Sequence, residues 1–233
     1  MQAVLFGPTG LPLNQQTAAI VDPSSAALRI TAKNLEYSFP GALGGFYRVA
    51  IPLTGGITTS IAALAPLVAF RWAPTTTGML AVVKNINLAF GVRTAGSSAA
   101  IIVMFEAVRA TSFTVQDTGG TALALAATAK LRSSMANSQA LIQYANGATA
   151  LTAGTRTLDG AGFGGFLYDE QPAAGVVRST NAVDLYRDDS YASHPLVLAN
   201  NEGFIIRNIN ALTSTAFVCD IIVGITWVET LQY

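Results

Sequence analysis

The residues that could carry chemistry are few and widely spaced. His194 is the only histidine of the 233 residues, and Ser190, Ser193 and the pair Asp188–Asp189 lie close to it in the chain. A hydrolase needs such groups brought together in space, because the histidine takes the serine proton while the aspartate orients the ring. His194 precedes Pro195, which favours an extended backbone at this point. We therefore predict a structural or surface histidine, and no enzymatic activity.

The acidic residues show no arrangement typical of a metal or acid–base site. Asp188–Asp189 and Asp169–Glu170 are the acidic pairs, and adjacent side chains on an extended chain point in opposite directions. Glu106 interrupts an apolar strand pattern, and a buried carboxylate needs a partner, which Arg109 or Lys84 on a neighbouring strand could supply. We predict a structural ion pair at Glu106, and we expect no metal and no cofactor.

Three other features have structural explanations. The glycines of 160–165 have a spacing like that of a phosphate-binding loop, but no amphipathic helix follows, so an irregular loop is predicted over 160–175. Trp72 and Trp227 end predicted strands and could stack a sugar. Burial, with each indole N–H on a backbone carbonyl, is the preferred interpretation. Cys219, the only cysteine, falls on an apolar strand face and is predicted to be buried.

Charged residues are sparse and balanced. The chain has 13 basic and 13 acidic residues, together 11% of the sequence, with 51% hydrophobic residues, whereas roughly 25% is usual for charged residues. Because no run of like charge occurs, binding to nucleic acid or to an anionic membrane is disfavoured. We infer that much of the surface is covered by copies of the chain or by another partner. The alternative is a monomer with a surface rich in Thr and Ser.

Alternating apolar residues predict long strands. From Phe217 to Trp227 every second residue is apolar, which predicts a strand with one buried face. Residues 99–109 are apolar on both faces, so this strand is predicted to be covered on both sides. Residues 80–92 also alternate, with Lys84 as the exception on a predicted apolar face formed by Leu80, Val82, Ile86, Leu88 and Phe90.

The rest of the pattern predicts an all-β fold. Pro52 would place the strand at 47–53 on a sheet edge. Residues 36–47 read as a loop, and 121–135 as a loop with at most one short helix around Lys130–Met135. Further short strands are predicted at 26–33, 67–72, 140–145, 183–187, 195–199 and 203–208. Regular short strands with Gly- and Asn-rich turns favour an antiparallel β-sandwich, jelly-roll-like, with long Gly-rich loops.

The first 25 residues are predicted to form an extended N-terminal arm, followed by a single β-sandwich domain over 26–233. Pro8, Pro12 and Pro23 disfavour a helix or a central strand there. The segment lacks the basic residues and the continuous apolar stretch of a signal peptide. Its apolar residues are candidate interface residues, contacting either a neighbouring subunit or the body of the same chain: Val4, Leu5, Phe6, Leu11 and Leu13.

Several segments resemble a known class of proteins. His194–Leu198, Asn201–Arg207 and Trp227–Glu229 are similar to patterns in jelly-roll or related β-sandwich proteins that decorate or cement the heads of tailed bacteriophages. Residues 129–134 and 151–159 fit the same pattern, and the resemblance covers residue 67 onward. It implies a structural virion protein without enzymatic activity, made in the host cytoplasm and located in the capsid. Its implied partners are copies of itself, as a homotrimer, and a major capsid protein.

Two other functions stay open at this point. A carbohydrate-binding jelly-roll module or a hydrolase would need an exposed aromatic platform or paired carboxylates. A transmembrane β-barrel would also have alternating strands and a terminal aromatic residue such as Tyr233. The absence of a recognisable signal peptide argues against the barrel.

Overall fold

The structure is a computed structural model, and the contacts within it divide the chain into two compact units, Met1–Ser38 and Phe39–Tyr233. It describes residues 20–21, 28–29, 44–53, 61–95, 101–125, 129–147, 149–170, 178–188, 194–212 and 217–231. In the first unit, strand β1 (Ile20–Val21) pairs antiparallel with β2 (Leu28–Arg29). The predicted strand at 26–33 contains β2. The division into an arm and one domain at residues 25 and 26 stays a prediction.

The second unit is all-β, as the sequence predicts. Its strands are β3 (Gly45–Pro52), β4 (Pro66–Trp72), β5 (Leu80–Ala95), β6 (Ile101–Thr111), β7 (Thr121–Ala122), β8 (Ala140–Tyr144), β9 (Thr157–Leu158), β10 (Gly164–Glu170), β11 (Arg178–Ser179), β12 (Val183–Arg187), β13 (Leu196–Leu198), β14 (Glu202–Asn208) and β15 (Phe217–Thr230).

Two antiparallel sheets pack against each other as a sandwich. The seven-stranded sheet has the order β10-β6-β14-β4-β8-β7, and β9 also pairs with β6. The six-stranded sheet has the order β11-β5-β15-β3, and β12 and β13 also pair with β5. β3 therefore lies at a sheet edge, as Pro52 indicated, because proline has no N–H to donate to a further strand.

Aromatic side chains join the sheets at the centre of the core. Phe70 on β4 packs edge-on against Trp227 on β15, with ring centroids 5.3 Å apart. Phe70 also stacks on Phe204 of β14, and Trp227 stacks on Tyr47 of β3. All of these rings are fully buried. Burial of such large apolar side chains is the main stabilising term of a sandwich.

The predicted buried face of the last strand is confirmed from Cys219 to Trp227, whereas the prediction for the Phe217 side chain lies outside what the structure describes. Cys219, Ile221, Val223, Ile225 and Trp227 all have 2% or less of their surface exposed. β15 lies between β3 and β5 over most of its length, so both of its edges are paired. A central strand with one face in the core gives the period-two pattern that the sequence shows.

The predicted face of β5 is correct in one half and wrong in the other. Ile86, Leu88 and Phe90 enter the core as predicted, but Ala81 and Val83 enter it instead of Leu80 and Val82. The reason is a β-bulge at Lys84, where the partner strand β15 steps from Asn85 directly to Val83. One extra residue in a strand moves the following side chains to the opposite face.

Two predicted loops contain strands. β10 runs through the loop predicted over 160–175, and β3 begins at Gly45, within the loop predicted over 36–47. At Gly164 any side chain would collide with the backbone of Leu185, and at Gly45 it would meet the Met135 sulfur. Both glycines therefore serve close packing within regular strands. The short helix allowed around Lys130–Met135 is replaced by a bridge from Lys130 to Tyr47 and by turns.

β6 is covered on both sides along part of its length. Val103, Phe105 and Ala107 enter the main core, while Val108 and Ala110 enter a second apolar cluster on the outer face of the seven-stranded sheet. Phe113 and Leu151 complete this second cluster from the segments 112–118 and 151–158, which we call the outer cover. At the other end of the strand Ile102 is 49% exposed. The prediction of two-sided burial thus holds for the second half of β6.

Candidate functional site

The candidate interface residues of the predicted arm, Val4, Leu5, Phe6, Leu11 and Leu13, lie outside the residues that the structure describes. Their assignment to an interface stays a prediction. The surfaces considered below belong to the second unit.

Of the residues that could form a hydrolase site, Asp188 and His194 have structural contacts, while Asp189, Ser190 and Ser193 lie outside the described residues. His194 lies at the surface, with Nδ1 2.9 Å from the carbonyl oxygen of Pro195. Asp188 accepts a hydrogen bond from Lys84 Nζ at 2.8 Å, which ties the end of β12 to the bulge in β5. Lys84 can therefore occupy this position in β5, because Asp188 neutralises its charge at the margin of the sheet.

Glu106 forms a structural ion pair, but with a different partner from those predicted. Arg207, directly opposite on β14, contacts Glu106 Oε1 through Nη2 at 2.6 Å and through Nε at 2.7 Å. Arg109 pairs instead with Glu202 at 2.7 Å. Sequence could not choose among these partners, because the choice depends on which strand becomes the neighbour of β6.

The charged side chains serve the sandwich itself. Among the described residues five ion pairs occur, and four of them join segments that are far apart in the chain. The most buried pair is Asp117 with Arg156, whose side chains are 0% and 5% exposed. It joins the two segments of the outer cover. Arg156 also lies 5.3 Å from the centre of the Phe113 ring. Burial, together with the nearby Arg207, lowers the pKa of Arg156.

Glu229 is a buried carboxyl group near the end of β15, and its residue has no exposed surface. Its Oε1 accepts hydrogen bonds from Ser138 Oγ at 2.5 Å, Trp227 Nε1 at 3.0 Å and the Gln139 amide at 3.2 Å. Burial raises the pKa of Glu229, and these bonds oppose that effect in part. Burial and the neighbouring Glu229 charge also raise the pKa of Tyr47. Through these bonds the Glu229 carboxyl group links the end of β15 to Ser138 and Gln139.

Glu229 is not among the residues predicted from the sequence to be functional, although the sequence indicates that its side chain is buried. Glu229 follows Trp227 by two positions, so the same alternation that buries Trp227 also directs Glu229 inward. Both tryptophans are buried as predicted. Trp72 Nε1 donates to the carbonyl of Met79 as expected, but Trp227 Nε1 donates to the Glu229 carboxylate instead of a backbone carbonyl.

Apolar side chains are exposed at one edge of the seven-stranded sheet. Leu167 on β10 is 62% exposed and lies directly opposite Met104 on β6, two positions from Ile102. We call Ile102, Met104 and Leu167 the apolar edge patch. They share the outer face of two adjacent strands, since directly paired residues in an antiparallel sheet point the same way. Met104 is half-buried, and the exposed Asp169 pairs directly with Ile102 on the same face, so it borders the patch. Grouped exposed apolar side chains are found at interaction surfaces.

The other exposed large apolar side chains among the described residues are Leu64, Val115, Leu131, Leu141, Val183, Ile222 and Leu231.

Three comparisons with known proteins found no match. It matches no protein-family model, and neither the curated proteins nor the solved structures contain a significant match. Within the described residues no group of three or more His, Cys, Asp or Glu side chains is placed to hold a metal ion. The part of the chain that the structure describes also contains no helix with the length and apolar character needed to span a membrane.

Proposed function

We propose that this chain is a structural virion protein that self-associates and binds or stabilises a bacteriophage capsid shell, in a decoration or cement role. The virion part of the proposal comes from the sequence resemblance of 194–207 and 227–229. The self-association part comes from the surface of the sandwich. The single observation that carries it is the apolar edge patch, with Leu167 62% exposed and Ile102 49% exposed.

The order of the strands supports a jelly-roll form of the sandwich. β3, β5, β12 and β15 are the first, third, sixth and eighth of eight strands in chain order, and all four lie in the six-stranded sheet. The other four strands lie in the seven-stranded sheet. The first strand pairs with the last, which is how a double Greek key wraps. Jelly rolls recur in viral capsid proteins and in lectins. The strands concerned are β3, β4, β5, β6, β10, β12, β14 and β15.

The distribution of charge favours assembly over a freely dissolved monomer. Charged residues make up 11% of the chain, and several of them are matched within the sandwich, such as Glu106 with Arg207 and Arg109 with Glu202. A chain with so few charged residues has little charge with which to hydrate its outer faces. Stable interfaces commonly bury about 1,600 Å² in total and have an apolar centre with few charges. The apolar edge patch supplies exposed apolar side chains for such a centre, with Asp169 as a charged residue at its margin.

The mass of the purified protein in solution tests self-association. Light scattering coupled to size exclusion should give a multiple of the 24.2 kDa chain mass, and three copies are expected. The double variant Ile102→Ser/Leu167→Ser should shift the mass toward one chain, while its melting temperature changes little because both side chains are exposed. Leu64→Ser, at another exposed leucine (52% exposed), is the matched control and should leave the mass unchanged.

Attachment to a shell needs a separate test. Electron microscopy of phage particles that contain the protein should show it on the capsid, and deletion of residues 1–20 should weaken attachment without unfolding the sandwich. A wild-type protein that stays at 24.2 kDa at high concentration and associates with no particle would refute the proposal.

A further inference from the structure

Residues 129–139, which we call the strap, run along the outer edge of β3. The Arg48 amide donates to the Ala129 carbonyl at 2.9 Å, and the Leu131 amide donates to the Phe46 carbonyl at 3.4 Å. Between them Lys130 forms a bridge with Tyr47. The strap thus occupies the hydrogen-bonding edge of the first half of β3, which β15 leaves open on that side.

An edge strand needs such a cover because its outward N–H and C=O groups can pair with a strand of another molecule. In the second half of β3 the edge is interrupted by Pro52, which has no N–H. In the first half the strap alone makes the described backbone bonds to this edge. The position of the strap therefore decides whether Phe46 and Arg48 offer their backbone groups to a partner.

The strap is held at its other end by the buried carboxyl of Glu229. Ser138 and the Gln139 amide both bond to it, and the Tyr47 hydroxyl donates to the Ala136 carbonyl at 2.9 Å. By contrast, the middle of the strap, Leu131–Ser134, is exposed. Gln139 Oε1 also accepts from the Thr75 and Thr76 amides at 2.6 and 3.3 Å, and the Phe46 amide contacts the Met135 sulfur at 3.3 Å. A segment that is exposed between its anchors opens more easily than the sheet beneath it.

Each described element around Glu229 presents a specific group to its carboxyl. From β3 comes the Tyr47 hydroxyl, from β15 the Trp227 indole N–H, and from the strap Ser138 and Gln139. On β5 the directly paired residue is Ala81, which carries no charge. The basic residues of the strap are Lys130, which pairs in register with Tyr47, and Arg132, which bonds to Ser134. No described basic residue forms an ion pair with Glu229.

We propose that the strap is a releasable cover for the edge of β3, and that protonation of Glu229 favours its closed position. In the closed position the carboxyl group is fully buried without a matching positive charge among the described residues. When the strap opens, water reaches this group and stabilises its ionised form. Acid conditions therefore favour closure, and rising pH favours opening and exposure of the β3 edge.

The neutral form of Glu229 fits the closed geometry. The 2.5 Å separation from Ser138 Oγ suits an O–H···O hydrogen bond, in which either oxygen can act as the donor. The neutral acid can thus keep its contact with the strap without leaving a charge in the core.

Amide hydrogen exchange tests the proposal directly on the full chain. After correction for the intrinsic rate, exchange at Arg48 and Leu131 should rise with pH, by about tenfold for each pH unit between the closed-state and open-state pKa values. The Leu53 amide, which bonds to Ile221 at the far end of β3, reports opening of the whole sheet and should stay better protected than Arg48 and Leu131 at every pH. If Leu53 exchanges at the same corrected rate as Arg48 and Leu131, the strap is no separate unit and the proposal is wrong.

Two variants test whether ionisation of Glu229 causes the pH dependence of strap opening. Glu229→Gln keeps the shape but cannot ionise, so the pH dependence at Arg48 and Leu131 should disappear. Glu202→Gln, a carboxylate on β14 that bonds to the Ala199 amide, is the control and should keep the wild-type profile. An unchanged profile in Glu229→Gln would overturn the role of Glu229.

Ser138→Ala provides a second test if Glu229→Gln does not fold. It removes one donor to the carboxyl and leaves every ionisable group in place. We expect faster exchange at Arg48 and Leu131 at neutral pH, with Leu53 still better protected than either. Equal protection at Arg48 in wild type and variant would show that the strap is not held through this contact.

Discussion

The Ser138 hydroxyl lies 2.5 Å from Glu229 Oε1, although the two residues are 91 positions apart in the chain. The contact joins the strap to the end of the central strand β15. Because the carboxyl is buried, the contact links the stability of the fold to pH.

Stability should fall as the pH rises through the carboxyl range. Burial raises the folded-state pKa of Glu229 above its unfolded value, which is about 4.3 for a glutamate. The group's contribution is therefore complete below the unfolded pKa and is lost as the pH rises to the folded pKa. Urea unfolding between pH 4 and pH 8 should show this loss in wild type and not in Glu229→Gln. If both proteins give the same curve, Glu229 is not the responsible group.

A similar loss is expected at alkaline pH from Tyr47. Its pKa is raised by burial and by Glu229, so the folded state keeps the phenol neutral above pH values near 10, where an unfolded tyrosine ionises. Stability should decline above that pH in wild type and stay level in Tyr47→Phe. At neutral pH the variant should lose about 1 kcal/mol, because the hydrogen bond to Ala136 is gone. Thermal unfolding at pH 7 and pH 10.5 measures both effects.

Breaking the buried pair in the outer cover should be costly. Asp117→Ala leaves the Arg156 charge buried without its partner, and we expect a loss of about 3–5 kcal/mol in the free energy of unfolding. Glu202→Gln at the more exposed pair with Arg109 should cost about 1 kcal/mol or less. The double variant Asp117→Leu/Arg156→Leu should recover part of the loss, since both charges are removed together. Equal losses in the two single variants would contradict this ranking.

Three glycines should respond to alanine in a fixed order. At Gly203 a Cβ would collide with the backbone carbonyl of Phe70 on the neighbouring strand, so the strands must separate. At Gly224 it would meet the Asn87 side chain, which can move, and at Gly160 nothing lies within 4 Å. We expect the largest destabilisation for Gly203→Ala, a smaller one for Gly224→Ala and a change within about 0.5 kcal/mol for Gly160→Ala. Chemical denaturation of the three variants gives the order directly.

The sequence predicts those parts of the fold that depend on local alternation. β15 could be predicted because its alternation is unbroken from Cys219 to Trp227, since the irregularities of its pairing with β5 place the extra residue on β5. The face of β5 could be predicted only beyond Lys84, from Ile86 to Phe90, because a bulge depends on the register of the partner strand and leaves little local trace. β10 was missed because its glycines serve close packing against Leu185, which is remote in the chain.

The candidate site was less accessible to sequence reasoning than the fold. That Glu106 needs a partner follows from its position in an apolar strand, but the identity of Arg207 follows from the strand order. The apolar edge patch joins residues of β6 and β10 that are about sixty positions apart, from Met104 to Leu167. Alternation along either strand does not reveal which apolar residues become neighbours.

The central position of β15 also constrains the order of events during synthesis. β3 and β5 leave the ribosome more than a hundred residues before β15, yet each of them borders β15 in the finished sheet. Until β15 is made, the two strands lack their common neighbour, and their apolar faces and open edges are vulnerable to aggregation. Nascent chains stalled before residue 217 should therefore recruit chaperones, and those extended past β15 should release them.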